Sequence, residues 1–213
     1  HKKFVWEPFA PLKRNFETFV VKKAQGMYLE LEDGRKVLDA IASWWVNIHG
    51  HSHPKIAEAL YNQALTAEHV IFAGFTHEPA IKLAENLLSL LPTSMQKIFF
   101  SDNGSTCVEV AIKLAIQYWY NKKQFHKKKI VALEGAYHGD TFGAMAMGGN
   151  GNFNLPFHDY LLQVESLPFP FDNKEQETID AFEKIAKEGE VALFIYEPLI
   201  QGSAGMRIYS AET

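Results

Sequence analysis

After Pro92, short apolar runs alternate with longer segments of helical periodicity, and this alternation constrains the fold more than any other sequence feature. Apolar runs of this length predict buried strands, and the longer segments predict helices. Strands separated by helices require right-handed crossovers and a mainly parallel sheet, covered by helices on both faces. The predicted elements are, in chain order, residues 97–100 (strand), 108–120 (helix), 129–133 (strand), 178–187 (helix) and 191–196 (strand). The sequence therefore predicts an α/β fold.

The residues before Pro92 predict a hairpin followed by two helices. Residues 27–31 and 36–39 flank Asp33-Gly34, a dipeptide that is a strong short-range hairpin signal.

Two helix starts and one long loop are also predicted. Ser52 offers an N-cap and Pro54 an early proline, so a helix is predicted to begin there. A second helix is predicted from near His77 to a point before Pro92. Residues 148–172 are rich in Gly, Asn, Phe and Pro and are predicted to form a long loop.

Composition excludes several classes of partner. The chain has 21 Lys and Arg against 25 Asp and Glu, a formal charge of −4, which gives no general attraction to nucleic acid or an anionic membrane. The single cysteine, Cys107, excludes an intrachain disulfide framework and fits a reducing compartment. The longest apolar run, residues 191–196, is far shorter than the about 20 residues that span a bilayer. We therefore expect a cytoplasmic protein with small molecules as partners.

Residues 100–109 lead from a predicted strand through a glycine into a predicted helix. Thr106 and Glu109 have capping-box spacing, so Thr106 is expected to close the helix start. Gly104 and Ser105 would then lie just outside it, where free N–H groups and the helix dipole favour a phosphate. Neither a dinucleotide-binding glycine pattern nor a Walker loop is present, which favours a single phosphate. The alternative is a well-capped crossover helix without a ligand.

Polar and aromatic side chains follow two predicted strands. Tyr137, His138 and Asp140 come soon after the strand that ends at Leu133, and Glu197 follows the last strand. The carboxyl ends of parallel strands border the crevice where ligands bind. Tyr137 could stack on a planar ring that His138 and Asp140 orient, or it could belong to a polar turn packed against the core. Glu197 could contact a cofactor or serve as a hydrogen-bonded structural carboxylate.

Trp44 and Trp45 precede three histidines at alternate positions. In an extended chain, adjacent side chains point to opposite sides, so one tryptophan can pack inward while the other faces a pocket. Neither a cysteine partner nor an H-E-x-x-H motif accompanies His49, His51 and His53, so no metal site is predicted.

The order of these motifs is more specific than any one of them. The motifs are Asp33-Gly34 with Leu38-Asp39, residues 50–54 (Gly-His-Ser-His-Pro), residues 101–105 (Ser-Asp-Asn-Gly-Ser), residues 137–141 (Tyr-His-Gly-Asp-Thr), and Glu197-Pro198 with Gln201-Gly202. Their order resembles that of class III aminotransferases, pyridoxal-phosphate enzymes of fold type I, over nearly the whole chain. The resemblance implies that residues 1–50 belong to a small domain and residues 51–213 to the first part of a large cofactor-binding domain.

The resemblance also implies roles for single residues. The cofactor, pyridoxal 5′-phosphate, would have its phosphate bound by Gly104 and Ser105 and its pyridine ring stacked near Tyr137. Glu197 would also contact the cofactor.

The substrate pocket, by the same resemblance, would be lined by Trp44, Tyr137 and Phe9. The family often has a tyrosine after a Trp-x-Pro motif near the N-terminus, whereas residues 6–8 of this chain are followed by Phe9. A substrate hydrogen bond from a hydroxyl is therefore not expected at this position.

Within the family, the chain most resembles members that serve biotin biosynthesis. The similarity is carried by Trp44-Trp45, residues 117–119 (Gln-Tyr-Trp) and residues 201–206 (Gln-Gly-Ser-Ala-Gly-Met). It implies transfer of an amino group from S-adenosylmethionine to 8-amino-7-oxononanoate. The alternatives are a family member that uses an ω-amine or ornithine-like donor, and a non-catalytic module for a phosphorylated ligand if the natural chain is this short.

Family members hold the cofactor through a Schiff-base lysine, downstream of the position of Glu197. We expect that lysine to lie beyond Thr213. No catalytic residue is then expected in these 213 residues, and the chain is expected to be a truncated, inactive part of the enzyme. Family members build their sites at dimer interfaces, so a homodimer is expected, with residues 71–75 as a candidate contact.

Overall fold

The structure, a computed structural model, describes residues 4–13, 17–148, 154–171 and 174–211. The chain divides into two compact units, His1–Met95 and Gln96–Thr213. This division reflects compactness alone, and the domain assignment of residues 1–50 and 51–213 stays a prediction. No helix within the described ranges is both long and apolar enough to cross a membrane.

The first unit contains a small antiparallel sheet and helices. Its elements are β1 (Val21–Gln25), β2 (Tyr28–Leu31), β3 (Lys36–Leu38), the single turn α1 (Ala42–Trp45), α2 (Pro54–Thr66) and α3 (Glu78–Leu90). Strand β2 pairs with both β1 and β3. The predicted hairpin is confirmed, and Gly34 adopts the positive φ of +86° that such a turn requires.

Both predicted helices of this unit are present, but one cap differs. Ser52 is not the N-cap of α2, because its hydroxyl donates to the carbonyl of Ala24 at 2.8 Å; the predicted cap is wrong. His53 occupies the N-cap position without a side-chain hydrogen bond. Helix α3 begins after His77, whose Nδ1 accepts a hydrogen bond from the N–H of Ala80 at 3.2 Å.

The second unit is built on a parallel sheet with the strand order β5-β4-β6. Its elements are α4 (Gly104–Asn121), β4 (Lys129–Leu133), α5 (Phe142–Ala146), a 3-10 helix (Leu155–Tyr160), β5 (Glu165–Leu167), α6 (Glu175–Lys187), β6 (Val191–Ile195), β7 (Ile200–Gln201) and β8 (Arg207–Ile208). Strand β4 pairs in parallel with both of its neighbours. The predicted α/β arrangement is confirmed.

Strand β4 lies at the centre of the core because side chains on both of its faces are buried. On one face, Ile130 packs with Ile112 of α4 and with Met147, which follows α5. On the other face, Val131 and Leu133 pack with a cluster that includes α6 side chains. The near-continuous apolar sequence of β4 is what a parallel strand covered on both sides requires.

The predicted strand at residues 97–100 is wrong. No described strand pairs with this segment, and a side chain such as Phe99 is two-thirds exposed. A strand needs a hydrogen-bonded neighbour, so apolar composition alone does not produce one.

The long loop predicted at residues 148–172 is also wrong in its middle. The described part contains the 3-10 helix and strand β5, which pairs with β4 in the register Val131–Glu165 and Leu133–Leu167. Strand β5 has one buried apolar side chain, Leu167, so it carries too little hydrophobic pattern to be predicted. Residues 149–153 and 172 of this segment lie outside the described residues.

Candidate functional site

Helix α4 begins with a capping box that differs from the predicted one. Asn103 is the N-cap, and its Oδ1 accepts the N–H of Thr106 at 3.0 Å. The hydroxyl of Thr106 accepts the N–H of Asn103 at 3.1 Å. The predicted box of Thr106 with Glu109 is therefore wrong, and Gly104 and Ser105 are the first two residues inside the helix. N–H groups at these positions have no acceptor within a helix and point towards its N-terminal end, where an anion is favoured.

The segment after β4 lies against this helix start. The hydroxyl oxygen of Ser105 accepts a hydrogen bond from the N–H of Asp140 at 3.2 Å, which leaves the hydroxyl proton available to another acceptor. Gly139 is buried with φ +129°, and a Cβ there would overlap the Ser105 side chain. Glycine at position 139 thus permits the close approach.

Glu109 holds the same two segments together one turn further along α4. Its Oε1 accepts hydrogen bonds from the hydroxyl of Thr141 at 2.5 Å and from the N–H groups of Gly143 and Ala144 at 2.8 and 3.2 Å. A Cβ at Gly143 would lie 2.7 Å from Glu109 Cδ. Sequence reasoning missed this role, because the spacing from Thr106 offered a local explanation for the glutamate.

Tyr137 has a partly exposed ring and an engaged hydroxyl. The hydroxyl donates to Asp140 Oδ2 at 2.7 Å. This hydrogen bond to a carboxylate, with a smaller contribution from burial, raises the pKa of Tyr137 to about 12. The phenol therefore stays neutral near neutral pH, and its ring remains 47% exposed for contact with a ligand.

Glu197 connects the segment after β6 to the segment after β4. Its Oε1 accepts the N–H of Tyr137 at 2.9 Å, and its Oε2 accepts the N–H of Gly202 at 3.0 Å. The carboxylate thus fixes the backbone beside the Tyr137 ring. Contact between Glu197 and a cofactor stays a prediction.

His138 contributes a neutral imidazole. Burial lowers its pKa, and the negative charge of Glu197 opposes that shift. The Nε2 atom is buried and finds no hydrogen-bond partner in the described part of the chain. A buried nitrogen without a hydrogen bond costs free energy, and a hydrogen bond to a ligand or to another polar group would remove that cost.

Two further residues, whose structural role sequence reasoning missed, support the turn after β4. Gln201 is fully buried, and its Nε2 donates to the carbonyl of Glu134 at 3.0 Å. Arg207 donates from Nη2 to the same carbonyl at 2.9 Å and to Gln201 Oε1 at 2.5 Å. A Cβ at Gly135 would collide with the Arg207 guanidinium, so a glycine is required there.

The second unit thus brings four predicted residues into one connected arrangement: Gly104, Ser105, Tyr137 and Glu197. A helix start with two N–H groups and a hydroxyl can bind a phosphate, while the aromatic ring can stack on a flat heterocycle. These residues therefore fit a planar phosphorylated ligand such as pyridoxal phosphate.

The other two predicted residues, Phe9 and Trp44, meet within the first unit. Their ring centroids lie 5.9 Å apart with the planes tilted by 55°. The condition under which Trp44 and Trp45 would point to opposite sides, an extended backbone, is not met. Ala42, Ser43, Trp44 and Trp45 all have φ between +47° and +67°, so α1 is left-handed.

The three nearby histidines have other contacts. His51 Nε2 lies 2.8 Å from Asp39 Oδ2, and the rings of His49 and His53 meet edge to face at 6.4 Å. Among the described residues, no group of three or more His, Cys, Asp or Glu is arranged to hold a metal ion.

Comparison with known proteins identifies the family. The sequence profile described as "Aminotransferase class-III" matches residues 9–213. The chain belongs to the class III aminotransferases, a family of pyridoxal-phosphate-dependent enzymes.

Individual relatives agree with this assignment. The chain is 50% identical over 212 residues to the adenosylmethionine-8-amino-7-oxononanoate aminotransferase of Synechococcus elongatus. The matched region covers 96% of this chain and 50% of that protein. The crystal structure of the enzyme of that name from Methanocaldococcus jannaschii matches with a TM-score of 0.91 and 36% identity, over 98% of this chain and 48% of that one.

A third match is an amine transaminase from an uncultivated Pseudomonas species in its PLP-bound form. Its TM-score is 0.87 at 28% identity, with 97% of this chain and 50% of that one covered. The predicted fold, pyridoxal-phosphate fold type I, is confirmed. The chain spans about half the length of the curated relatives it matches.

Proposed function

We propose that the whole protein transfers an amino group from S-adenosylmethionine to 8-amino-7-oxononanoate, with pyridoxal phosphate as cofactor, in biotin biosynthesis. The observation that carries this proposal is the 50% identity to the Synechococcus elongatus enzyme over 96% of the chain. The amine transaminase with the same fold is only 28% identical, which favours the biotin-pathway donor and acceptor over an ω-amine or ornithine-like donor.

The cofactor side of the proposed site lies in the second unit. Gly104 and Ser105 would bind the cofactor phosphate through their N–H groups and the Ser105 hydroxyl proton, which Asp140 leaves available. The Tyr137 ring would stack on the pyridine ring, with its backbone fixed by Glu197. When bound, the cofactor supplies an electron sink for the carbon that loses or gains the amino group.

The substrate side is proposed to include Trp44, Phe9 and Tyr137. The Phe9 and Trp44 rings are in contact and both are about two-thirds exposed, so together they offer an apolar surface. Phe9 has no hydroxyl, so its contribution would be apolar contact only. The lysine that binds the cofactor covalently is proposed to lie in the half of the relatives' length that this chain does not span.

We also propose a homodimer in the cytoplasm. Residues 71–75 are the candidate contact, because Ile71, Phe72 and Phe75 are each about half or more exposed. Light scattering of the whole protein tests this, and an active monomer would contradict it.

The donor preference tests the function. The whole protein, loaded with pyridoxal phosphate, is mixed with S-adenosylmethionine, ornithine or a simple ω-amine in the absence of an acceptor. We expect S-adenosylmethionine alone to discharge the cofactor's visible absorption efficiently. Faster reaction with ornithine or the ω-amine would favour the other family members, and failure to bind the cofactor would favour a non-catalytic module.

A further inference from the structure

We propose that Asp39 is a positioning residue for substrate capture: it clamps Ser43 and His51 and thereby holds the left-handed turn that presents Trp44. This role rests on the proposed function, because it gives Trp44 a substrate to contact. Asp39 itself would touch neither cofactor nor substrate.

The turn that carries Trp44 has an unfavourable backbone. Four consecutive residues other than glycine, Ala42–Trp45, have positive φ values. In this conformation the Cβ of an L-residue crowds the following carbonyl oxygen, so such residues normally occur singly. A run of them persists only where surrounding contacts determine the backbone, and strained segments of this kind concentrate at functional sites.

Asp39 supplies those contacts. Its Oδ1 accepts the N–H of Ser43 at 2.9 Å, and its Oδ2 accepts the Ser43 hydroxyl at 2.7 Å. The same Oδ2 lies 2.8 Å from His51 Nε2, and the side chains of Asp39 and His51 are only 6% and 14% exposed. Three hydrogen bonds to one carboxylate thus fix the turn at its second residue.

The clamp is anchored to the sheet of the first unit. The N–H of His51 donates to the carbonyl of Gly26 at 2.7 Å, and the N–H of Gly26 donates back at 3.0 Å. The N–H of Asp39 donates to the carbonyl of Met27 at 2.9 Å. Both ends of the Asp39–His51 pair are therefore fixed to the β1–β2 connection, which gives the turn a rigid base.

Side-chain packing within the unit does not account for the turn. Trp44 and Trp45 are 67% and 64% exposed, so neither is held by burial among the described residues. Apart from its contact with the Phe9 ring, the Trp44 side chain depends for its position on a backbone that Asp39 holds through Ser43.

The three clamp residues are not arranged for nucleophilic catalysis. The Ser43 hydroxyl donates to Asp39 and, among the described residues, makes no hydrogen bond to His51, whereas in a Ser-His-Asp triad the serine hydroxyl bonds directly to the histidine. Positioning is the role that fits this geometry.

The test compares Asp39→Asn with Asp33→Asn in the whole protein loaded with pyridoxal phosphate. Asp33 is a matched control, because it also accepts a backbone N–H and a side-chain N–H, from Arg35, but in the exposed hairpin turn. We expect Asp39→Asn to raise the KM of the substrate by about tenfold or more, as expected for loss of a hydrogen bond to a charged group. Cofactor affinity should stay unchanged, and Asp33→Asn should leave both quantities unchanged.

A double-mutant cycle separates positioning from general structural support. If Asp39 acts through Trp44, Asp39→Asn should raise KM no further in a Trp44→Ala background. Ser43→Ala keeps the backbone N–H, so on its own it should raise KM less than Asp39→Asn does. This variant also tests the inference if Asp39→Asn does not fold.

Three results would each overturn the inference. The first is an unchanged KM in both Asp39→Asn and Ser43→Ala, and the second is an additive effect of Asp39→Asn and Trp44→Ala on KM. The third is a loss of cofactor affinity in Asp39→Asn as large as its rise in KM. Absence of amino transfer by the unmodified protein would instead overturn the proposed function, and this role with it.

Discussion

Gly139 lies so close to Ser105 that a Cβ built on the glycine would be 2.7 Å from the serine Cβ. This approach lets the segment carrying Tyr137 rest on the start of helix α4, where the N–H of Asp140 meets the Ser105 hydroxyl. The proposed ring and phosphate contacts are therefore linked through one glycine.

Gly139→Ala should weaken cofactor binding in the whole protein. Overpacking of this kind costs about 1–3 kcal/mol, so the dissociation constant for pyridoxal phosphate should rise by about fivefold to a hundredfold. Gly189→Ala is the control, because Gly189 also has a positive φ, +75°, but no atom of the described residues, apart from its chain neighbours, lies within 4 Å of its Cβ position. Equal effects of both substitutions in a cofactor titration would show that backbone strain, and not the contact with Ser105, is responsible.

Ser105→Ala removes one hydroxyl while the N–H groups of Gly104 and residue 105 remain. Hydrogen bonds to charged groups contribute about 1.5–3 kcal/mol, so cofactor affinity should fall by roughly one to two orders of magnitude. Ser89→Ala, which removes a hydroxyl bonded to a helix carbonyl, should have no effect. Unchanged affinity would mean that Ser105 serves only to hold Asp140.

Trp44 and Tyr137 should respond differently to truncation. Trp44→Ala should raise the KM of the substrate while the cofactor stays bound. Tyr137→Ala should change the cofactor's absorption spectrum and lower kcat, because the ring is proposed to pack on the cofactor. Titration of both variants with pyridoxal phosphate and then with substrates tests the assignment. Loss of cofactor from Trp44→Ala, with a normal spectrum and rate in Tyr137→Ala, would reverse it.

Asp39 should contribute to stability in a defined pH range. Hydrogen bonds from Ser43, and then the one from His51, lower the pKa of Asp39 from 3.8 to about 2. A carboxyl whose pKa is lowered on folding stabilises the protein above its unfolded value, and this contribution is lost as pH falls through the folded value. The difference in Tm between the unmodified protein and Asp39→Asn should therefore be constant from about pH 5 to about pH 4 and shrink towards pH 2. A difference that persists undiminished at pH 2 would contradict the role of the charge.

Strand β4 was predictable from sequence because burial determines it. Its sequence is nearly continuously apolar, as burial on both faces requires. The start of α4 was placed too late, because Asn103 and not Thr106 is the N-cap and Gly104 is the first helical residue. Strand β5 could not be predicted, because pairing with β4 stabilises it although only Leu167 is apolar and buried.

The site was predictable only in part. Ser105, Tyr137 and Glu197 follow strands or begin a helix, so topology alone places them at one edge. The structural roles of Glu109 and Asp39 were missed for different reasons. Glu109 bonds to Thr141, which lies 32 residues away in the sequence. Asp39 bonds to Ser43, which lies in a left-handed turn. No hydrophobic period or propensity encodes such a turn, since its cost is offset by side-chain hydrogen bonds that become visible only in three dimensions.

Product formation tests the proposed function most directly. The whole protein is incubated with pyridoxal phosphate, 8-amino-7-oxononanoate and S-adenosylmethionine that carries ¹⁵N in its amino group, and the products are measured by mass spectrometry. We expect one ¹⁵N atom in 7,8-diaminononanoate. Absence of ¹⁵N-labelled product, or product formed only when ornithine or an ω-amine replaces S-adenosylmethionine, would contradict the function proposed for this protein.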